Sequence, residues 1–346
     1  MYQYKQIDHV QLEITTVCNA ACPQCPRNHH GGPTIKSLPM ISWKLNDLQQ
    51  ALPIEFIQQL KSIYFCGTYG DPMANKNIVA MCAWLKGVNP SIKLSLHTNG
   101  SVGSVDLYKQ LSALVDFIAF GIDGLEDTNH LYRRKTQWTT IMRNSQAFIK
   151  AGGHAYWDFI VFKHNEHQVE QAEQLSKALG FEKFNIKKTY RFLNRNHQLI
   201  PSLTINQFIL QPPSNTKYQN QKMLDVKSTD LTKYQQTTKI DCFYLKKKEI
   251  YIGADGYVFP CGWLHDRLYG VESESSPDHE TIKQMMTDAG GPNMANCFQT
   301  PLNNIVEGEW FAQIQLNWQT NKLQRCAMMC GEKFNFVKDQ NELVSY

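Results

Sequence analysis

The chain of 346 residues has a hydrophobic content of 42% and a formal net charge of +4. This length allows one large domain or two ordinary ones, and the charge is too small to indicate a nucleic-acid partner. The sequence shows no apolar run of 18 residues and no N-terminal signal pattern, so we expect a cytoplasmic protein rather than a membrane protein. Ten cysteines in such a chain favour metal ligation or redox chemistry over a disulfide framework.

Short apolar segments alternate with amphipathic ones from Val10 to Phe192, which predicts an α/β fold built of βα units around a parallel sheet. A helix is predicted over Glu170–Leu179, because its apolar residues form one stripe and Gly180 follows. The six predicted strands are Val10–Thr15, Ile63–Cys66, Lys93–Thr98, Phe117–Ile122, Ala155–Lys163 and Lys183–Phe192.

Side-chain alternation along these strands predicts a polar inner face, because neighbouring residues of a strand point to opposite sides of the sheet. The predicted inner residues are Gln11, Glu13 and Thr15 in the first strand, Lys93, Ser95, His97 and Asn99 in the third, and Asn185, Lys187, Thr189 and Arg191 in the sixth. Two interpretations stay open at this point. The polar interior either binds a polar ligand or satisfies its own hydrogen bonds.

Three cysteines follow the first strand with C-x3-C-x2-C spacing, namely Cys18, Cys22 and Cys25. Three soft ligands so close together converge if the loop wraps one metal centre. A ferredoxin motif would supply a fourth cysteine nearby, whereas here the next cysteine is Cys66. A cubane on three cysteines keeps one iron open to a small molecule, and the alternative is a zinc site with His29 or His30 as the fourth ligand.

This cysteine motif, placed directly after a strand, resembles that of radical S-adenosylmethionine (radical SAM) enzymes. The resemblance implies a partial (β/α)6 barrel and a 4Fe-4S cluster whose open iron binds S-adenosylmethionine. It also implies reductive cleavage of that cofactor to a 5′-deoxyadenosyl radical, which abstracts hydrogen from a substrate. Gln24 departs from the family pattern, which prefers an aromatic residue before the third cysteine.

Three further motifs are similar to cofactor contacts of this family. Gly70-Asp71-Pro72 stands where the family has Gly-Gly-Glu-Pro, and Thr98-Asn99-Gly100 ends the third strand. Gly121-Ile-Asp123-Gly124 resembles Ser-Ile-Asp-Gly, and Arg133, twelve residues after Gly121, is then implied to bind the cofactor's carboxylate through its guanidinium fork. The cofactor-binding residues implied in this way are Gly70, Asp71, Asn99, Gly121, Asp123 and Arg133. No motif assigns the adenine pocket.

Residues 196–240 are rich in Gln, Asn, Ser, Thr and Pro and show little periodic apolar signal. This composition predicts a surface linker or a flexible substrate loop. We therefore expect a barrel over residues 1–195, the linker over 196–240 and a small cysteine-rich domain over 241–346.

The C-terminal region carries a C-x13-G-x4-C pattern between Cys242 and Cys261, which predicts a β-hairpin turning at residues 254–256. The region resembles the SPASM/Twitch domains of radical SAM enzymes, and its cysteine count implies one auxiliary 4Fe-4S cluster. The implied ligands are Cys242, Cys261, Cys326 and Cys330, with Cys297 as a substitute ligand or a bystander. Zinc on the same thiolates stays an alternative. Cys66 and Cys82 are predicted to be buried small residues.

The resemblance implies a radical SAM oxidoreductase or modifying enzyme that oxidises or cross-links a small molecule or peptide. Its partners would include an external one-electron reductant of the flavodoxin or ferredoxin type. Lys187 and Arg191 are candidate contacts for an anionic substrate. Sulfatase-maturing relatives place a catalytic aspartate directly after the cysteine equivalent to Cys261, whereas this chain has Gly262, which argues against the same peptide chemistry.

Two other functions remain open on the sequence. One is a zinc-stabilised RNA-binding protein that uses the basic stretch 183–195, and the other is a two-cluster electron carrier that needs neither Arg133 nor an open iron.

Overall fold

The computed structural model describes residues 2–193, 202–205, 207–269 and 276–337. Its main sheet has eight strands in the order β10-β9-β1-β2-β3-β4-β5-β6, and β7 pairs with β8 in a separate ribbon. The strands are β1 (His9–Leu12), β2 (Ser62–Phe65), β3 (Lys93–Thr98), β4 (Phe117–Gly121), β5 (Ala155–Val161), β6 (Lys183–Lys188), β7 (Leu203–Ile205), β8 (Phe208–Leu210), β9 (Glu249–Ile252) and β10 (Val258–Phe259).

The helices lie mostly between the strands in the first half of the chain and follow one another in the second half. Their bounds are α1 (Leu45–Ala51), α2 (Ile54–Gln59), α3 (Ile78–Val88), α4 (Val105–Leu111), α5 (Asn129–Tyr132), α6 (Trp138–Lys150), α7 (Val169–Ala178), α8 (Gln221–Val226), α9 (Leu231–Thr237), α10 (Phe243–Lys247), α11 (Gly262–His265), α12 (Pro277–Asp288), α13 (Leu302–Val306), α14 (Glu309–Asn317) and α15 (Gln324–Cys330). Within the described ranges, no helix has both the length and the apolarity needed to cross a bilayer.

The six predicted strands are confirmed as β1 to β6, parallel neighbours in chain order. This is the α/β fold of a partial barrel, as predicted. All of these strands except β3 end earlier than predicted, and the largest differences are at β1, which stops at Leu12, and at β6, which stops at Lys188. Beyond β1 the chain leaves the sheet, and Thr15 bridges to Ser42. The predicted helix is confirmed as α7, one residue earlier at each end.

The outer face of the sheet is apolar and completely covered. Its side chains are fully buried at Leu12, Ile63, Phe65, Leu94, Leu96, Ile118, Phe120, Trp157 and Phe159. Burying such side chains against the helices drives the packing of the barrel. The strand period of two then leaves the polar residues on the inner face.

The predicted hairpin is confirmed as β9 and β10, which pair antiparallel around a turn containing Gly256 at φ +85°. The hairpin also joins the barrel, because β9 pairs in parallel with β1. Ile250, Tyr251 and Ile252 are all fully buried there. The C-terminal region therefore shares the barrel's sheet, and a domain boundary at residue 241 stays a prediction.

The polar stretch before the hairpin contains regular elements where the composition indicated little. The β7–β8 ribbon and helices α8 and α9 lie within it, and Leu203, Leu210, Met223 and Val226 are buried in the main core. Helices of six and seven residues are too short to show a clear apolar period in a polar sequence. The predicted boundary at residue 195 lies outside the described residues.

Candidate cofactor and substrate site

A cavity of about 940 Å³ opens on the inner face of the barrel. Its volume lies at the upper end of the range for small-molecule sites. The predicted site residues that line it are Cys18, Cys22, Cys25, Gly70, Asp71, Asn99, Arg133, Lys187 and Arg191. Gln11 and His97, two predicted inner residues, also line it, whereas Gly121 and Asp123 lie behind its wall.

The three N-terminal cysteines lie in one loop at this cavity. The Asn99 amide Nδ2 is 3.6 Å from Cys18 Sγ, and Arg133 Nη1 is 4.0 Å from Cys22 Sγ. Burial raises the pKa of all three thiols, that of Cys22 to about 11. Because a buried thiolate needs a positive partner, the donor set fits a metal cluster. Within the described chain, no three His, Cys, Asp or Glu side chains already stand in a metal-holding arrangement, so ligation stays a prediction.

Gln24, where the family prefers an aromatic residue, ties the cysteine loop to the chain after β6. Its amide Nε2 donates a hydrogen bond of 2.9 Å to the Arg191 carbonyl, and Arg191 Nη1 donates one of 3.4 Å to the Gln24 carbonyl. A glutamine therefore anchors the loop here through hydrogen bonds.

Glu13, directly after β1, holds the loop that contains Gly70. Its Oε1 accepts hydrogen bonds from the backbone N–H groups of Tyr69 at 2.7 Å and Gly70 at 2.8 Å, and its Oε2 accepts one from the Tyr251 hydroxyl at 2.5 Å. A Cβ at position 70 would lie 1.8 Å from the Thr15 carbonyl oxygen. The close approach of two backbones therefore requires glycine here.

Asp71 uses its carboxylate to hold the end of β3. It accepts hydrogen bonds from the Thr98 hydroxyl at 2.9 Å, from Asn99 N–H at 2.9 Å and from Met73 N–H at 3.0 Å. Burial nevertheless raises its pKa. These contacts place Asn99 beside Cys18, so Asp71 acts in this structure as a positioning residue.

The Gly121 motif positions Arg133. Arg133 Nε donates a hydrogen bond of 2.5 Å to Asp123 Oδ2, and Asp123 Oδ1 accepts one of 2.6 Å from Ile160 N–H. A Cβ at position 121 would lie 2.3 Å from Arg133 Nη2. The guanidinium thus occupies the space that a serine of the family pattern would need, which accounts for the glycine.

The two candidate substrate contacts differ in their partners. Lys187 Nζ lies 3.3 Å from Asp158 Oδ2, and Asp158 also contacts His97 at 3.5 Å and Asn185 at 2.8 Å. Arg191 forms no ion pair with a carboxylate of the described residues, and the Gln24 carbonyl is its side-chain partner. The interior is therefore partly self-satisfied, and Arg191 is a lining cation without a carboxylate partner among the described residues.

The four predicted auxiliary cysteines meet in one place. A small second cavity is lined by Cys242, Cys261, Cys326 and Cys330 together with Trp263 and Arg325. All four are at most 9% exposed, and a hydrogen bond from Cys330 lowers the pKa of Cys242. The donor set of four buried thiols fits a closed iron-sulfur or zinc site.

The remaining cysteines lie apart from both groups. Cys297 sits at the hairpin turn, where its N–H donates a hydrogen bond of 2.9 Å to the Gly256 carbonyl. Cys82 is fully buried in α3, as predicted. Cys66 lies on the wall of the large cavity and accepts a hydrogen bond of 2.9 Å from Gln11, so it is not the core residue that its apolar neighbours indicated.

Residues 12–175 match a family described as the radical SAM superfamily. This segment, just under half of the chain, is therefore similar to radical SAM domains. No curated protein matches the chain.

Solved structures similar to this fold include radical SAM enzymes. One is SuiB of Streptococcus suis bound to S-adenosylmethionine, with a TM-score of 0.51, 12% identity and coverage of 86% of this chain and 64% of that chain. Another is anSMEcpe with bound AdoMet, with a TM-score of 0.54, 14% identity and coverage of 96% and 95%. A third, SuiB bound to the precursor peptide SuiA, has a TM-score of 0.56, 12% identity and coverage of 95% and 72%. The chain spans just under two thirds of the first SuiB structure, and identities this low show the fold alone.

Among the residues that shape this cavity, the predicted inner face already included His97 and Glu13, whereas Asp158 was not predicted. Asp158 contacts both Lys187 and His97, and Glu13 holds Gly70. Inner-face parity was a usable signal for His97 and Glu13. Four more lining residues were not predicted from the sequence: Tyr190, Asp266, Arg267 and Arg325.

Proposed function

We propose that the protein is a radical SAM enzyme that reductively cleaves S-adenosylmethionine. The supporting observation is that the three cysteines of the matched domain share one cavity with Asn99 and Arg133. A 4Fe-4S cluster and S-adenosylmethionine, when bound, would supply a 5′-deoxyadenosyl radical at the expense of one electron from a reductant. All other roles below are those of the chain's own residues.

The chain's residues divide into contacts and positioning groups. Cys18, Cys22 and Cys25 would hold the cluster, and Arg133 would bind the cofactor's carboxylate through the N–H groups that Asp123 does not use. Backbone groups at Gly70, together with Asn99, would contact its methionine part. Asp71, Asp123 and Gly121 would act through these residues rather than touch the cofactor.

The second proposed centre is one auxiliary 4Fe-4S cluster on Cys242, Cys261, Cys326 and Cys330. Their shared buried cavity supports this assignment over Cys297. Such a centre suits an oxidation or a cross-link, because a substrate that has lost a hydrogen atom must still give up one electron and one proton. The auxiliary cluster would take the electron or anchor the substrate.

The proposed substrate is a small molecule or peptide with an anionic group near Arg191 and Lys187. The cavity volume supports this class, and so does Arg191, which has no carboxylate partner among the described residues. The printed names of similar structures include peptides, SuiA and Cp18Cys, as ligands of those proteins. We place the enzyme in the cytoplasm, where thiols stay reduced and a flavodoxin or ferredoxin can deliver the electron.

The test is anaerobic reconstitution with iron and sulfide, followed by reduction in the presence of S-adenosylmethionine. We expect about eight irons per chain, since each cluster holds four, and 5′-deoxyadenosine as the product. The triple variant C18A/C22A/C25A should lose about half of the iron and all of the product. Bound zinc, or iron without 5′-deoxyadenosine, would overturn the proposal in favour of a zinc protein or an electron carrier.

A further inference from the structure

The end of the large cavity nearest the auxiliary cysteines carries unpartnered hydrogen-bond donors. The buried atoms without a partner include the Tyr190 hydroxyl, Arg267 Nε and Arg325 Nε. Tyr190 is 5% exposed, Arg267 is 3% exposed and Arg325 is 8% exposed, yet all three line the cavity. Leaving a buried polar group without a partner costs about 1–3 kcal/mol, so three together require an explanation.

These donors belong to one cluster. Arg325 Nη2 donates a hydrogen bond of 3.0 Å to Asp266 Oδ2, and Arg267 Nε lies 3.1 Å from Asp266 Oδ1 without the alignment of a hydrogen bond. The Trp263 ring joins them, 5.9 Å from the Arg325 guanidinium and 5.8 Å from the Tyr190 ring.

The cluster contains more guanidinium groups than carboxylates. Two guanidinium groups share the single Asp266 carboxylate. The other carboxylate nearby, Asp278, accepts hydrogen bonds from the backbone N–H groups of Gln324 and Arg325 at the start of α15. The Asp278 carboxylate therefore interacts with the N-terminus of the helix rather than with the guanidinium groups.

The cluster lies between the two proposed redox centres. Arg325 and Trp263 line both the large cavity and the small cavity of the four auxiliary cysteines. A ligand that occupied the cavity from the Cys22 side would reach this cluster at its other end. Unused donors, two of them on guanidinium groups, call for a hydrogen-bond acceptor, and a guanidinium fork suits a carboxylate.

We propose that Tyr190, Arg267 and Arg325 form a subsite that binds a carboxylate of the substrate beside the auxiliary cysteines. This inference rests on the proposed function for the identity of the substrate site and narrows its substrate to a carboxylate-bearing molecule. The subsite is distinct from Arg191 and Lys187, which contact the cysteine loop and Asp158.

The test measures binding of blocked tripeptides to the reconstituted full chain by calorimetry without S-adenosylmethionine. The probes are acetyl-Gly-Asp-Gly-amide and its neutral match acetyl-Gly-Asn-Gly-amide. We expect the aspartyl peptide to bind at least about tenfold more tightly, the scale of one charged hydrogen bond. Equal affinity of the two peptides would overturn the subsite. Tighter binding of a phosphoserine peptide that also depends on Arg325 would overturn the carboxylate assignment.

Variants separate binding from folding. R325Q and R267Q should each weaken binding of the aspartyl peptide by about 10- to 100-fold. R143Q, which replaces an exposed arginine of α6, should leave this binding unchanged. Y190F is the sharpest test, because the hydroxyl it removes has no partner in the protein. A purely structural tyrosine predicts unchanged affinity in Y190F, and that result would contradict the inference. For Y190F we expect the affinity for the aspartyl peptide to fall about 3- to 10-fold. The free energy of unfolding should not change.

The subsite and the proposed function fail separately. Formation of 5′-deoxyadenosine is measured on the same protein without peptide. Cleavage without selective peptide binding would remove the subsite alone, and selective binding without cleavage would remove the radical SAM proposal alone.

Discussion

At the scale of single residues, the site is organised by close approaches that leave no room for a side chain. Gly70 meets the Thr15 backbone, and Gly121 meets the Arg133 guanidinium. Buried acids then complete the arrangement: Glu13 holds the Gly70 loop and Asp123 holds Arg133. Glu13, Gly121 and Asp123 act on the cavity through their neighbours, so conservative changes at them should alter cofactor binding.

Replacing Gly121 with Ala should displace Arg133, because the new Cβ would lie 2.3 Å from Nη2. We expect a loss of about 1–3 kcal/mol in the free energy of unfolding from overpacking and about tenfold weaker binding of S-adenosylmethionine from the lost charged contact. Denaturation and equilibrium binding measure the two effects. The control is G87A in helix α3, where nothing lies within 4 Å, and it should stabilise the protein by about 0.5–1 kcal/mol. If G121A behaved like G87A, the steric account would be wrong.

At the scale of elements, the β9–β10 hairpin links the two cysteine groups. It pairs with β1, whose C-terminal end leads into the loop of Cys18, and β10 leads directly to Cys261. One sheet therefore sets the relative placement of both proposed centres. That placement depends on two local features. One is the turn of this hairpin, and the other is the Asp278 carboxylate, which caps the start of α15.

The hairpin turn should not tolerate alanine at position 256. Gly256 has φ +85°, and a Cβ there would lie 2.5 Å from the Phe298 ring. Gly152 is the matched control, since its φ is +91° with nothing within 4 Å. Both changes incur the cost of the left-handed conformation, about 1–2 kcal/mol. We expect G256A to lose about 1–3 kcal/mol more than G152A in denaturant unfolding, and equal losses would show that Phe298 gives way freely.

The cap of α15 should make stability depend on pH. Burial raises the pKa of Asp278 to about 6, from the ordinary value of 3.8 for an aspartate. Between these values the folded protein binds the proton more tightly than the unfolded chain, so stability falls as pH rises from about 4 to about 6. Across this pH window we expect the free energy of unfolding of the wild type to fall by up to about 3 kcal/mol relative to that of D278N. Urea unfolding of both proteins at several pH values measures this difference. D106N on α4 is the control for replacing an aspartate with asparagine. A difference between wild type and D278N that did not change with pH would refute the burial account.

At the scale of the whole molecule, residues far apart in the chain form two groups of cysteines, each beside one of two cavities that share lining residues. The large cavity takes its walls from the barrel strands, the cysteine loop and the C-terminal region, and Arg325 and Trp263 belong to both cavities. A substrate in this cavity would lie between the two groups, which suits a reaction that must remove both a hydrogen atom and an electron.

Iron content should distinguish the auxiliary ligands from the bystander. C326A should lose about four irons per chain after reconstitution, one cluster's content, because Cys326 lines the cavity of four thiols. C297A should retain about eight, because Cys297 lies at the hairpin turn instead. Formation of 5′-deoxyadenosine should persist in both variants, since the N-terminal cysteines are unchanged. Loss of iron in C297A alone would move the ligand assignment to that residue.

The sequence by itself determined the six parallel strands, their polar inner face, the three-cysteine loop and the hairpin at Gly256. These features depend on the period of the strand, on cysteine spacing and on the backbone freedom of glycine, all of which act between near neighbours in the chain. Only the tertiary structure decided that β9 joins β1, that Arg133 occupies the space at Gly121, that Cys66 faces the cavity, and that Tyr190, Arg267 and Arg325 converge. Such contacts join residues distant in the chain, and packing rather than local pattern selects them.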